Sequence, residues 1–145
     1  MLFVGAAPSD SAESKEGFLH QPGVIEVASA GSRSTRGPVL YAPGREILTL
    51  LPGGHYDFAS GDSVATAQVS GVLALLLAKN AALSAAEVFR LLRDTSAHSG
   101  DGDGDVTFVD ACAAVVSLVG RGSCSPTSDT EHRLADKRDR RVALH

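Results

Sequence analysis

Aromatic residues are scarce in this chain of 145 residues: tryptophan is absent, and Phe and Tyr together make up 5%. A buried core therefore has to be built mainly from Ala, Val and Leu. Long apolar runs are also missing. The longest covers residues 72–78 and falls well short of the ~18 residues that a membrane-spanning helix needs. The sequence therefore predicts no membrane span.

The chain has no excess of basic residues. Lys and Arg number 13 against 17 Asp and Glu, a net charge of −4, which argues against a general nucleic-acid binder. A hydrophobic fraction of 43% excludes global disorder. No basic segment precedes the apolar residues 1–7, so we predict a strand there and no signal peptide, and the compartment stays open. A chain that opens on a core-type strand indicates that further sequence precedes it.

Only two cysteines occur, Cys112 and Cys124, so a single pairing is available. The interpretation that the sequence favours is two free thiols, with Cys112 buried on a helix. The alternative is a disulfide, which requires an oxidising compartment that the sequence does not specify.

Strand-like segments fill the first part of the chain and helix-like segments follow. A turn at Pro52-Gly53-Gly54 joins two of the strands into a hairpin. The helix predicted over residues 63–79 is apolar nearly all round, which indicates complete burial, and Ser84 with Glu87 forms a capping box that starts the next helix. This order predicts an α/β layered fold. The predicted strands are residues 2–7, 24–28, 39–42, 46–50 and 55–58, and the third helix is residues 109–118.

Charge separates the end of the chain from the rest. Residues 121–145 carry six basic and four acidic residues, and a loop-like segment at residues 120–126 leads into them. We therefore predict a folded part over residues 1–120 and a charged, disordered tail over residues 121–145.

Three alternating carboxylates, Asp101, Asp103 and Asp105, suit a hard cation such as calcium. An EF-hand loop that began at Asp101 would need Gly and Glu where Val106 and Cys112 stand, so that motif is excluded. We favour an acidic, glycine-rich turn without a metal, and calcium at these three residues is the alternative.

The segment Gly61-Asp62-Ser63-Val64-Ala65 lies where a loop meets the first predicted helix. A serine at a helix start lies beside unpaired backbone N–H groups, which together with the helix dipole stabilise an oxyanion on an attacked carbonyl. The simpler interpretation is that Ser63 or Asp62 caps the helix. These five residues alone favour the cap.

Several motifs in order around this segment favour the catalytic interpretation of Ser63 over the helix cap. The sequence APGREILT at residues 42–49 is similar to the strand opening A-P-G-x-x-I, and GDSVATAQVSG at residues 61–71 is similar to G-T-S-M-A-x-P-H-V-[AS]-G. Upstream, QPGVIEV at residues 21–27 is similar to P-G-V-I-x-V. Together these motifs resemble the C-terminal part of the subtilisin-like serine peptidases, the subtilases, over residues 2–118.

The resemblance implies a three-layer, subtilisin-like α/β fold with a mostly parallel sheet flanked by helices, of which residues 1–120 would be the C-terminal half. It implies a serine endopeptidase that cleaves polypeptides through an acyl-enzyme on Ser63. A subtilase also needs an Asp and a His from D-[ST]-G and H-G-T blocks, and neither block occurs here. We therefore expect the missing N-terminal half to be a partner and this chain to be inactive alone. The family is mostly secreted.

By the same resemblance, the oxyanion hole would be formed by the Ser63 backbone N–H and by the residue at the usual asparagine position, which is Ser9 here. No cofactor is required, and calcium is an option because many subtilases bind it.

Four residues depart from the serine motif. Asp62, which replaces Thr, has two orientations open to it: beside the oxyanion, where its charge opposes catalysis, or turned away. The other departures are Val64 for Met, Ala67 for Pro and Gln68 for His.

Two further hypotheses compete with the endopeptidase. The first is a non-catalytic remnant or pseudo-enzyme module of the same fold. The second is a G-D-S type esterase that starts from Gly61-Asp62-Ser63 and uses Asp129 and His132 as a D-x-x-H pair. The absence of a G-x-N-D block argues against the esterase.

Overall fold

The computed structural model describes residues 1–7, 23–29, 39–99 and 106–124. Their main feature is a five-stranded sheet with the strand order β1-β2-β3-β7-β6. Strands β1, β2, β3 and β7 run parallel, and β6 pairs antiparallel with β7. The elements are β1 (Phe3–Ala6), β2 (Val24–Ser29), β3 (Val39–Ala42), β4 (Ile47–Leu51), β5 (His55–Ala59), α1 (Asp62–Lys79), α2 (Ala85–Asp94), β6 (Ala97–Ser99), β7 (Val106–Phe108) and α3 (Ala111–Val119).

The core lies between the inner strands of this sheet and the three helices. Val27 pairs with Leu40 across β2 and β3, so both side chains lie on the same face of the sheet. Apolar residues from every helix pack against them. The predicted α/β fold with a mostly parallel sheet is confirmed. The buried cluster consists almost wholly of Ala, Val and Leu: Ile25, Val27, Leu40, Ala42, Ala65, Val69, Leu73, Leu76, Val88, Leu92 and Ala114.

The hairpin predicted around Pro52-Gly53-Gly54 is present as β4 and β5. Leu48 pairs with Phe58 and Leu50 with Tyr56, and all four side chains are more than half exposed. The hairpin therefore contributes little to the core, and its second strand leads the chain to the start of α1.

The prediction that α1 is fully buried is wrong. Its covered stripe is Ala65, Val69, Leu73 and Leu76, whereas Leu75 on the adjoining side is 55% exposed. An evenly apolar helix gives no periodic signal for which side faces the core, so the sequence could not show that only one face is covered by the described residues.

Two neighbouring leucines of α1 provide a matched test of this packing. We expect Leu76→Ala to lower the free energy of unfolding by about 2–3 kcal/mol, since Leu76 is fully buried but the one-sided cover can partly collapse into the cavity. In this chain alone, where Leu75 is exposed, the same change at Leu75 should cost less than about 0.5 kcal/mol. Urea unfolding of both variants measures the difference, and equal losses would contradict the one-sided burial of α1.

The capping box predicted at the start of α2 is confirmed. The Ser84 hydroxyl accepts from the Glu87 N–H at 3.3 Å, and the Ser84 backbone N–H donates to the Glu87 carboxylate at 2.8 Å. The Ser84 hydroxyl also donates to that carboxylate at 2.6 Å. These bonds, the hydroxyl's first and the backbone N–H second, hold the pKa of Glu87 below its usual value.

The prediction of two free thiols is wrong, because Cys112 and Cys124 form a disulfide with 5.8 Å between their Cα atoms. Cys112 is exposed on α3 rather than buried. Gly120, at φ 67°, and Gly122, at φ 112°, bend the chain back after α3, which brings Cys124 to the helix. A loop of this length yields about 3 kcal/mol of stabilisation in the chain-entropy model. Cys124 belongs to the predicted tail, so the start of that tail is attached to α3.

Several predictions fall on residues that the structure does not describe. Asp101, Asp103 and Asp105, the candidate calcium ligands, lie outside the described residues, as do residues 125–145 of the predicted tail.

Strands β6 and β7 were not predicted from the sequence, because three residues are too few to show an alternating pattern. Within the described ranges, no helix is long and apolar enough to cross a membrane.

Candidate active site

Ser63 is the second residue of α1, at the point where the chain enters the helix from the hairpin. Gly61 is the N-cap, with φ 145° and ψ 165°, and no side chain caps the helix. This φ lies in the region that only glycine adopts without strain. The alternative in which Ser63 or Asp62 acts as the cap is therefore wrong.

The polar groups of Ser63 face outward at this helix start. Its side chain is exposed, and no described residue hydrogen-bonds its hydroxyl. The N–H groups of Val64 and Ala65 donate to the Gly61 carbonyl at 3.0 and 3.4 Å, whereas no acceptor for the Ser63 N–H occurs among the described residues. Ser63 thus presents a hydroxyl and an N–H donor side by side at the positive end of a helix.

Gly44, in the turn after β3, packs closely against the start of α1. Its carbonyl accepts from the Gly61 N–H at 2.7 Å. A Cβ at position 44 would lie 2.4 Å from the Ser29 Cβ and 2.9 Å from the Gly61 carbonyl oxygen. Only a residue without a side chain lets β2, the turn and α1 approach this closely.

Asp62, the residue before Ser63, binds the end of β2. Its Oδ1 atom accepts from the Ser29 backbone N–H at 2.8 Å and from the Ser29 hydroxyl at 2.6 Å. The structure thus directs this carboxylate at the end of β2. Nothing in the sequence pattern pointed to Ser29 as its partner.

A match to a known family identifies the family of this chain. The family model described as "Subtilase family" matches residues 6–129, which is most of the chain. The chain belongs to the subtilase family. The resemblance of residues 2–118 to the subtilases is thereby confirmed, and the subtilases are serine peptidases.

Relatives within the subtilase family match parts of this chain. Subtilisin E of Bacillus subtilis (strain 168) is 38% identical over 74 residues, which is 51% of this chain and 18% of that protein. The intracellular serine protease of Paenibacillus polymyxa is 49% identical over 49 residues, 34% of this chain and 15% of that protein. This subtilase chain therefore spans less than a fifth of the length of either relative.

A solved structure supports the same fold. Fervidolysin from Fervidobacterium pennivorans, described as a keratinolytic enzyme related to subtilisin, superposes with a TM-score of 0.64 and 26% identity. The match covers 87% of this chain and 23% of that chain. The described elements are thus arranged as in part of a larger subtilase.

Gln68 stands at one of the positions where this chain departs from the subtilase serine motif. Its amide Nε2 donates to the Pro43 carbonyl at 2.6 Å, which attaches the second turn of α1 to the turn after β3. Thr66 Oγ1 donates to the Asp62 carbonyl at 2.7 Å within the helix. The residue changes near Ser63 therefore include side chains with defined structural partners.

The structure does not bring His55 to Ser63. His55 is the first residue of β5, and a strand rises about 3.4 Å per residue, so most of the length of β5 separates the imidazole from the helix start. His98 lies on β6, at the sheet edge opposite β1. Ser9, the residue at the usual asparagine position, lies outside the described residues, as do His20, Asp129, His132 and His145.

Proposed function

We propose that the protein containing this chain is a subtilisin-like serine endopeptidase and that Ser63 is its nucleophile. The observation that carries this proposal is the pairing of an exposed Ser63 hydroxyl with its own N–H at the N-terminus of α1, inside the subtilase serine motif. An attacking oxygen and an oxyanion donor are the two groups that acyl transfer needs at one place.

In this mechanism Ser63 Oγ attacks the carbonyl carbon of the scissile peptide bond and its proton passes to a histidine. The Ser63 N–H, with Ser9 as a second donor, stabilises the oxyanion that forms. When the intermediate collapses, the C–N bond breaks, the histidine returns the proton to the leaving amine, and an ester on Ser63 remains for water to hydrolyse. The histidine and its aspartate partner come from sequence outside this chain. The mechanism needs no cofactor. A calcium ion bound at Asp101, Asp103 and Asp105 is the alternative to a turn without a metal.

We further propose that the missing N-terminal half of the domain packs against the uncovered side of α1. Ala67, Ala74, Leu75 and Ala78 lie exposed on a helix that carries few polar residues. Apolar surface of this kind favours burial. The solved relative contains about three quarters of its length outside the matched region, which provides the material to cover this side.

A fluorophosphonate probe, which reacts only with an activated serine, tests the function. We expect no labelling of this chain alone, because Ser63 lacks a base, and labelling at Ser63 when the chain is expressed together with the N-terminal half that supplies the triad Asp and His. Peptide mass spectrometry identifies the labelled residue. Ser70→Ala, at another exposed serine of α1, is the control that should leave the labelling unchanged.

Labelling at a serine other than Ser63, or labelling of the chain by itself, would contradict the proposal. Absence of labelling in the longer protein, or upstream sequence without D-[ST]-G and H-G-T blocks, would favour the non-catalytic remnant. The family match leaves the G-D-S esterase without a supporting observation.

A further inference from the structure

We propose that Asp62 is a positioning residue, whose carboxylate joins the end of β2 to the first turn of α1 and thereby fixes Ser63. This inference rests on the proposed function of Ser63. It assigns a role to a residue at which this chain departs from the subtilase pattern.

The contact has the features of a strong, directed bond. One carboxylate oxygen of Asp62 accepts two hydrogen bonds from Ser29, at 2.8 Å from the backbone N–H and at 2.6 Å from the hydroxyl. Ser29 is only 7% exposed, so water competes little for these donors. Hydrogen bonds to an ionised acceptor at such distances are about twice as strong as neutral ones.

The bond between Asp62 and Ser29 lies next to Ser63 in the chain. Asp62 and Ser63 are adjacent in the first helical turn, so a shift of the helix backbone that separates Asp62 from Ser29 would also move the Ser63 side chain and its N–H. Ser29 is the last residue of β2 and pairs with Ala42 of β3, which leads directly into the turn at Gly44. The carboxylate therefore attaches the helix start to the end of β2, which is itself paired with the end of β3.

A carboxylate suits this role better than the threonine of the family pattern. Its oxygen lies one bond farther from the backbone than a threonine hydroxyl, and it accepts from both Ser29 donors without donating itself. Its negative charge would oppose an oxyanion nearby. The two Ser29 donors offset part of that charge, which accounts for an acid beside the proposed nucleophile.

The test compares kcat and KM for peptide hydrolysis by the longer protein that the proposed function requires, which supplies the Asp and His of the triad. We expect Asp62→Ala to lower kcat roughly 10- to 100-fold with little change in KM, since a small misplacement of a reacting group has this cost. Asp62→Asn keeps an oxygen acceptor and should recover most of the loss. Ser29→Ala keeps the backbone N–H and should show a smaller loss than Asp62→Ala.

The double variant and a control separate positioning from general destabilisation. The double variant, Ser29→Ala with Asp62→Ala, should have the same kcat as Asp62→Ala alone, because the two changes remove the same contact. Asp94→Ala is the control, since Asp94 is exposed and its described ion pair is with the adjacent Arg93. Additive losses at the two positions, or an unchanged kcat for Asp62→Ala, would overturn the inference.

Hydrogen exchange at the Ser29 amide separates failure of this inference from failure of the proposed function. We expect protection of that amide in the parent and in Asp62→Asn, and loss of it in Asp62→Ala. If Ser63→Ala left the peptidase activity intact, the proposed function would fail, yet loss of protection would still support the bond between Asp62 and Ser29. Unchanged protection in Asp62→Ala would overturn that bond.

Discussion

Replacement of Ser63 by alanine in the full-length protein is expected to lower kcat by about 10⁶-fold, the size of the effect known for the nucleophile of subtilisin. The reason is that the acyl-enzyme forms on this oxygen and no neighbouring group can replace it. The same change should not lower stability. Ser63 is exposed, and none of the described residues bonds its hydroxyl.

Steady-state hydrolysis of a peptide substrate and thermal unfolding, measured on the same preparation, test both halves of this prediction. Ser70→Ala supplies the matched control, because Ser70 is also exposed on α1 but lies two turns farther from the helix start. Full activity in Ser63→Ala would remove Ser63 as the nucleophile. A large drop in the unfolding temperature would mean that Ser63 has a structural partner among the residues that the structure does not describe.

Local patterns predicted the parts of the fold that local forces determine. The short segments around Val27 and Leu40 predicted β2 and β3 because they are rich in apolar residues that favour strands. Ser84 and Glu87 predicted the start of α2 because a capping box is formed by four consecutive residues. By contrast, the cover on α1 depends on what packs against it, and the even distribution of Ala, Val and Leu around that helix carried no information about it.

The candidate site divides in the same way. The motif at residues 61–71 predicted that Ser63 lies at a helix start, and the structure places it at the second helical residue. The partner of Asp62 was beyond prediction, since Ser29 lies 33 positions away and meets it only when β2 packs beside α1. The Cys112–Cys124 disulfide was missed for a related reason: it depends on the turn conformations at Gly120 and Gly122, which the spacing of the two cysteines does not specify.

Gly44→Ala is expected to be the most damaging single change to the fold near the site, with a loss of about 3 kcal/mol in the free energy of unfolding. The added methyl group would lie 2.4 Å from the Ser29 Cβ and 2.9 Å from the Gly61 carbonyl oxygen. Neither atom is the far end of a flexible side chain, so relief requires that the backbone of β2 or of the helix start moves. That movement would also separate Asp62 from Ser29.

Gly71→Ala is the matched control for this prediction, because the same methyl group is added to the same chain. In this chain alone, Gly71 lies on the exposed side of α1 with nothing within 4 Å of an added Cβ, so alanine should stabilise the helix by about 0.5–1 kcal/mol. Urea unfolding should therefore shift in opposite directions for the two variants. If Gly44→Ala unfolded at the same urea concentration as the parent, the close packing of β2, the Gly44 turn and α1 would be wrong, and with it the physical basis for the placement of Ser63.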